Sequence, residues 1–221
     1  YEPCACEGVF DLIAPLGRCL YLDSRQFYSN TRFLRQVVNK FESVVDLEWI
    51  RLGVWREQIK LAFSRPGASE LLPYLDKVYI KATPQDGRMA AFLAAGWILD
   101  RLGVTAVKDG EGSYCFTLPA GQMVKLVLDE AASGDVKGLL EISFLFRNTD
   151  WRRLGQGACM IFRRIKGLEI IIETELSDRS FVPLEDEGWL STLYHYFSIG
   201  ESTTNYKPSL EKGLCLQEIS L

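Results

Sequence analysis

Histidine is almost absent from this chain: His195 is the single imidazole among 221 residues. That excludes a His-rich zinc site, and any histidine-based triad would depend on one side chain held between Tyr194 and Tyr196. A lone histidine among tyrosines is read as structural. Long apolar runs are missing too. The longest, Met89–Leu99, is well short of the roughly 20 residues that span a bilayer, so no membrane segment is expected and this stretch reads as a buried helix. The first residues lack a basic stretch followed by an apolar one, so no export signal is expected. No Gly-Lys-Ser or Gly-Lys-Thr closes a P-loop. Gly110-Glu111-Gly112 and Gly155-Gln156-Gly157 precede expected strands, where glycine serves turns rather than a phosphate cradle. A formal charge of −4 provides no field to attract nucleic acid.

Six cysteines are scattered rather than framed, which fits reduced thiols in a cytoplasmic protein. Cys4 and Cys6 lie near the beginning as candidate redox groups. Their spacing is neither that of a zinc knuckle nor one that closes an unstrained disulfide. No metal and no cofactor is expected. Apolar residues make up 48% of the chain and charged residues 24%, the balance of a folded domain.

The first half alternates helix and strand. A short helix is expected over Gly8–Pro15 and a strand from Arg18 to Leu22, entering a loop at Asp23-Ser24. Asn30 or Thr31 caps a helix whose Phe33, Leu34, Val37, Val38 and Phe41 recur at helical spacing. A further helix presents Trp55, Ile59, Ala62 and Phe63. Lys77–Ala82 reads as a strand, and Arg88–Leu102 as a helix apolar nearly all round that stops at Gly103. Strand-then-helix units favour parallel pairing. After Val104 the period changes to two. Val124, Leu126 and Leu128 share one face, as do Leu140, Ile142, Phe144 and Phe146, and then Leu168, Ile170, Ile172 and Leu176. Ser133-Gly134-Asp135 and Lys166-Gly167 read as hairpin connections, and Glu185–Phe197 as a covering helix, with a tail beyond it that is polar until Leu214. The expected class is α+β: N-terminal α/β units with short parallel strands continue into an antiparallel meander covered by helices. The lobes are residues 1–103 and 104–221, or the two packed as one domain.

Two constellations stand out. Arg147, Arg152, Arg153, Arg163 and Arg164 concentrate positive charge, either as a grip for phosphate or an acidic surface or as a solvated rim beside the glutamate-rich strand. A phosphate grip would make the chain a sugar-phosphate- or nucleotide-binding enzyme. The second is Asp46–Glu57, where Trp49 and Trp55 alternate with Arg51 and Arg56 among the carboxylates Asp46, Glu48 and Glu57. Asp46 stands where an acid caps a helix. Trp49, Leu52, Arg56 and Ile59 then fall on one stripe. Trp and Arg dominate interface energetics, yet the same pattern also anchors a core, so both readings stand, and the exposed sheet face is a further candidate for docking.

That segment resembles the Asp-Leu-x-Trp-x-Arg-Leu-x-x-Trp-Arg-Glu signature of the glucose-6-phosphate dehydrogenase assembly protein family, OpcA. Glu48 stands where many members have Asn. Ala91–Gly103, with Gly96-Trp97 and Arg101-Leu102, is similar to the family's small-apolar helix, and Tyr21–Arg25 to its strand ending in Asp-Ser. The resemblance implies a partner protein without turnover of its own, supporting oligomerisation and activation of glucose-6-phosphate dehydrogenase in the oxidative pentose phosphate pathway. Asp46, Trp49, Arg51, Trp55, Arg56 and Glu57 are then the motif or partner-binding residues. A thioredoxin-linked cysteine switch is associated with cyanobacterial members.

Overall fold

The computed structural model describes residues 17, 19–110, 113–131, 137–147, 159–165, 169–174, 180–183 and 205–218. Within these the chain begins with strand β1 (Cys19–Leu22), a 3₁₀ turn (Ser24–Phe27), helix α1 (Thr31–Lys40) and strand β2 (Ser43–Asp46). β1 and β2 pair in parallel, and α1 supplies the crossover that a parallel pair needs. Asn30 caps α1, its Oδ1 accepting from the Phe33 amide at 3.2 Å. The stripe from Phe33 to Phe41 is buried.

Helices α2 (Leu47–Arg51) and α3 (Gly53–Phe63) follow β2 directly, and a 3₁₀ segment (Ser69–Tyr74) leads into β3 (Leu75–Ala82). Helix α4 (Arg88–Leu102) is buried from Met89 to Leu99 and ends on Gly103 at φ +66°, a left-handed cap that favours glycine. It touches β3 on one side, α2 and the first 3₁₀ turn on another, and the last helix on a third. That enclosure explains why it is apolar all round.

Among the described residues, the main sheet has eight strands in the order β10-β9-β8-β7-β3-β6-β5-β4. The remaining strands are β4 (Val107–Gly110), β5 (Ser113–Thr117), β6 (Met123–Glu130), β7 (Leu139–Phe146), β8 (Cys159–Ile165), β9 (Glu169–Thr174) and β10 (Ser180–Pro183). β3 pairs in parallel with β6, and every other neighbour is antiparallel. The class is therefore α+β, with parallel units leading into an antiparallel meander. β3 comes from the first half of the chain yet lies between β6 and β7, so the sheet runs across residue 103. The period-two reading needs one adjustment. A register shift between Lys81 and Ala82 pairs Ala82 with Leu139, and Leu139 rather than Leu140 is buried.

The tail, expected to be polar until Leu214, instead forms helix α5 (Tyr206–Glu218), whose Tyr206 and Leu210 enter the core along with Leu214 and Leu216. It lies directly on α4. A Cβ on Gly96 would stand 1.9 Å from the Ser209 carbonyl oxygen, and one on Gly213 would stand 2.3 Å from that of Phe92. The expected elements at Gly8–Pro15 and Glu185–Phe197, His195, both G-x-G stretches beyond Gly110 and both expected hairpin connections lie outside the described residues, as do the side chains of β9.

Candidate functional site

The carboxyl ends of β1 and β2 lie side by side, with Leu22 opposite Asp46. The signature segment begins there. Asp46 is wholly buried, and its Oδ1 accepts from the Ser24 amide at 3.0 Å and the Glu48 amide at 3.1 Å. One carboxylate oxygen thus caps α2 and ties it to the 3₁₀ turn after β1, which is what an acid at this position does.

A ring of charges surrounds this cap. Arg25 grips Asp23 through Nε at 3.0 Å and a terminal nitrogen at 2.6 Å, and its Nε lies 3.2 Å from Glu48. Arg51 donates to Asp23 at 3.2 Å and to Glu48 at 3.1 Å. Two guanidiniums therefore hold two carboxylates, and Asp23, half of the Asp-Ser motif, belongs to the same network as the signature. Burial pushes the Asp23 carboxyl up. The Arg25 hydrogen bond, with Arg51 and Arg25 charges beside it, outweighs that and holds it below the usual range. The Asp23 hydrogen bond in turn raises Arg25.

Asp46 and Glu48 shift the other way. Burial raises Asp46 to about 6 against the pull of its hydrogen bonds, and raises Glu48 to about 7 despite Arg51 and Arg25. Both carboxyls keep their protons to higher pH when folded than when unfolded, so their contribution to stability is largest in acid and declines as pH rises from about 4 to 7. Asp23 has the opposite sign and loses its contribution below about pH 4. Thermal unfolding should therefore occur about 5 °C higher at pH 5 than at pH 8, and Asp46→Asn with Glu48→Gln should flatten that difference. A melting temperature that rises from pH 5 to pH 8 would contradict this account.

The aromatic half of the signature lies deeper. Trp49 is 1% exposed and Trp55 4%. The Arg56 guanidinium carbon lies 3.8 Å from the Trp49 ring centroid, and Arg56 donates to the Trp49 carbonyl at 3.1 Å. That carbonyl is among the last of α2 and lacks a helical partner, so the seven-residue reach of Arg56 satisfies a helix end while stacking on the indole. Tyr206 of α5 meets Trp49 edge-on, with ring centroids 5.8 Å apart. Burial and the neighbouring Asp46 hold its phenol well above the usual range. Trp49, Leu52, Arg56 and Ile59 are all buried along the stripe drawn by their spacing.

Of the six signature residues, then, Asp46, Trp49, Trp55 and Arg56 face the interior and Arg51 is partly covered. Glu57 is exposed and pairs only with Lys60 among the described ion pairs, at 2.5 Å. Spacing did not reveal that Tyr206, far along the chain, completes the cluster. The described arginines of the second constellation do not converge. Arg147 bonds Asp76 at 2.5 Å beyond the end of β7, while Arg163 bonds Glu141 near its start at 2.9 Å. Arg164 donates to the Lys137 carbonyl at 2.8 Å. Arg152, Arg153, Cys4 and Cys6 lie outside the described residues. Cys19, Cys115 and Cys215 are free thiols. Among the described residues no group of His, Cys, Asp and Glu is arranged to hold a metal ion, and no helix is long and apolar enough to cross a membrane.

Comparison with known proteins bears on the same region. Residues 42–142 match the family model OpcA_G6PD_C, described as the C-terminal domain of the glucose-6-phosphate dehydrogenase subunit. The chain is 30% identical over 109 residues to the OxPP cycle protein OpcA of Synechocystis sp., and 31% identical over 101 residues to that of Synechococcus elongatus. These stretches are 48% and 43% of this chain but only 23% and 22% of the relatives, so the match spans under a quarter of either relative's length. Among solved structures, an oxidoreductase from Sinorhizobium meliloti superposes with a TM-score of 0.55 at 11% identity, covering 100% of this chain and 74% of that one. At that identity the likeness is one of fold alone. The matched span starts just before the cap at Asp46 and contains the signature segment, the Gly96-Trp97 helix and the sheet centre. Residues 42–142, just under half of the chain, are therefore similar to the C-terminal domain of the OpcA family.

Proposed function

We propose that this chain is a non-catalytic, cytoplasmic partner of glucose-6-phosphate dehydrogenase that promotes the enzyme's active oligomer. The observation that carries the reading is where the family signature spends its chemistry. Asp46 and Glu48, the carboxyls with the most displaced proton affinities, are buried, one engaged by backbone amides and the other by Arg25 and Arg51. Such groups fix a fold, whereas a general acid or base must reach a proton on a substrate. In this reading the signature is the scaffold that holds α2, α3 and α5 together, and docking uses other surface. An effector of this kind needs only a higher affinity for the active state of its partner. A thioredoxin-linked control would act through cysteines, and the exposed thiols of Cys19 and Cys215 offer it sites.

The test is direct. Glucose-6-phosphate dehydrogenase activity and mass are measured with and without this chain at micromolar concentration. Activity and oligomer size should both rise, and no change in either overturns the proposal. The enzyme reading built on an arginine grip gains no support from the described arginines, whose partners lie at opposite ends of β7.

A further inference from the structure

The eight-stranded sheet presents one face to helices, while the other carries no helix among the described residues. On β3, Val78, Ile80 and Ala82 are buried, with α4 packed on the strand, so Lys77, Tyr79 and Lys81 lie on the far face. The strand registers extend that alternation sideways. One row runs Arg163 on β8, Glu141 on β7, Lys81 on β3 and Asp129 on β6. Its charges alternate: plus, minus, plus, minus. The next row runs Ile161, Ser143, Tyr79 and Val127 in the same strand order. Lys81 lies between two carboxylates yet, among the described residues, forms an ion pair with neither, while Glu141 turns to Arg163 and Asp129 accepts from Tyr79.

This order has a geometric consequence. A two-fold axis parallel to the strands and midway between β7 and β3 places each row opposite itself in reverse. Arg163 then meets Asp129 of a second copy, and Glu141 meets Lys81 of the second copy. Every charge in the row finds its opposite, and in the next row Ile161 meets Val127 while Tyr79 passes over Ser143, which is already buried within one copy and donates to Glu141. Moving the axis onto β7 sets Glu141 against Glu141 and Lys81 against Arg163, so the charges favour the first register over its neighbour. We propose that this face seats a second copy of the chain, the two sheets packed face to face about that axis.

Size and packing agree with such a pair. Eight strands spaced about 4.8 Å apart make a face about 34 Å wide. Strands of up to eight residues make it about 26 Å long at the centre. Allowing for the shorter outer strands, that is of the order of 800 Å² per partner, the size of a stable interface. A two-fold axis along the strands keeps the two sheets aligned, one of the two ways sheets stack, and makes the interface isologous. In the third row Lys77 and Lys125 pass over Leu145 and Cys159 of the second copy, where their aliphatic stems cover apolar surface and their ammonium groups reach the rim. The charge row fixes register, and the apolar side chains supply affinity.

Sedimentation of the 221-residue chain from about 1 to 100 µM, a range that brackets standard-size interfaces of ordinary affinity, tests this. A concentration-dependent dimer is expected. Arg163→Glu and Asp129→Arg should each weaken it at least about tenfold, and the double variant should recover most of the loss. In a single copy these residues are three strands apart, about 14 Å, so only contact between copies produces rescue. Circular dichroism verifies that each variant is folded. A chain monomeric throughout the range, or single variants that the double does not rescue, overturns the proposal. It is equally overturned if the chain is monomeric alone and the same variants abolish binding to glucose-6-phosphate dehydrogenase, because the face then belongs to that partner. Activation of the enzyme is read separately, so either conclusion can fail without the other.

Discussion

Replacing Gly96 by alanine is expected to lower stability by about 3 kcal/mol, the upper part of the usual range for overpacking. The added methyl would lie 1.9 Å from the Ser209 carbonyl oxygen, a backbone atom that cannot rotate aside. The contact is reciprocal, because a methyl on Gly213 would lie 2.3 Å from the Phe92 carbonyl oxygen. The two helices therefore touch backbone to backbone at two points, and either substitution must push α5 away from α4. That displacement pulls on every anchor of α5: the Lys212 ammonium on the Leu99 carbonyl at 3.2 Å, the Lys207 ammonium on that of Phe41 at 2.6 Å, and the Leu216 carbonyl held by the Tyr114 hydroxyl at 2.9 Å. For a chain of this length the midpoint of thermal unfolding should fall by about 6–12 °C. Gly67→Ala is the contrasting variant. Gly67 has φ +81° with nothing near its absent Cβ, so it incurs only the backbone strain, about 1–2 kcal/mol. Equal losses at Gly96 and Gly67 would show that helix contact is not what Gly96 provides.

This helix pair also shows where the sequence stops being informative. Helix α4 was legible because an unbroken apolar run ending in Gly103 has few other readings. Helix α5 was not. Pro208 and Gly213 interrupt it, and Lys207, Glu211 and Lys212 dilute its apolar stripe, yet the glycine that weakens the helix locally is what lets it lie against α4. Local propensity and tertiary packing disagree here, and packing wins. Alternation marked β6, β7 and β9 for a similar reason: one face of a sheet is core and the other is wet, and period two survives unless a bulge intervenes, as at Leu139.

The site was half legible. Asp46 as a helix cap followed from its position, and the Trp49–Leu52–Arg56–Ile59 stripe from helical spacing. Whether that stripe faced a core or a partner did not follow, since tryptophan and arginine suit both environments. The deciding facts are remote: Tyr206 arrives from the last helix, and Asp23 and Arg25 from the turn after β1. For the same reason the arginines between 147 and 164 looked like a patch. They are close in sequence, but β7 and β8 run antiparallel and carry Arg147 and Arg163 to opposite ends.

Within the signature, Trp49→Ala and Glu57→Ala should separate by several kcal/mol. Truncating a buried tryptophan costs about 3–5 kcal/mol, a large share of the 5–15 kcal/mol that holds an ordinary domain together. Here the loss is compounded. The indole supports the Arg56 guanidinium at 3.8 Å and receives the edge of Tyr206, so its removal leaves a buried cation without its aromatic surface and loosens the start of α5. Arg56→Lys should recover little of an Arg56→Ala defect, because an ammonium cannot both stack flat on the indole and reach the Trp49 carbonyl at 3.1 Å. Glu57 is exposed and meets only Lys60 among the described ion pairs, so its truncation should stay within about 0.5 kcal/mol. Chemical denaturation of the variants measures the separation. If Trp49→Ala leaves stability intact and abolishes only binding to glucose-6-phosphate dehydrogenase, the signature is a docking surface. If it unfolds the chain while Glu57→Ala folds, binds and activates normally, the signature is the internal frame on which the docking surface is built.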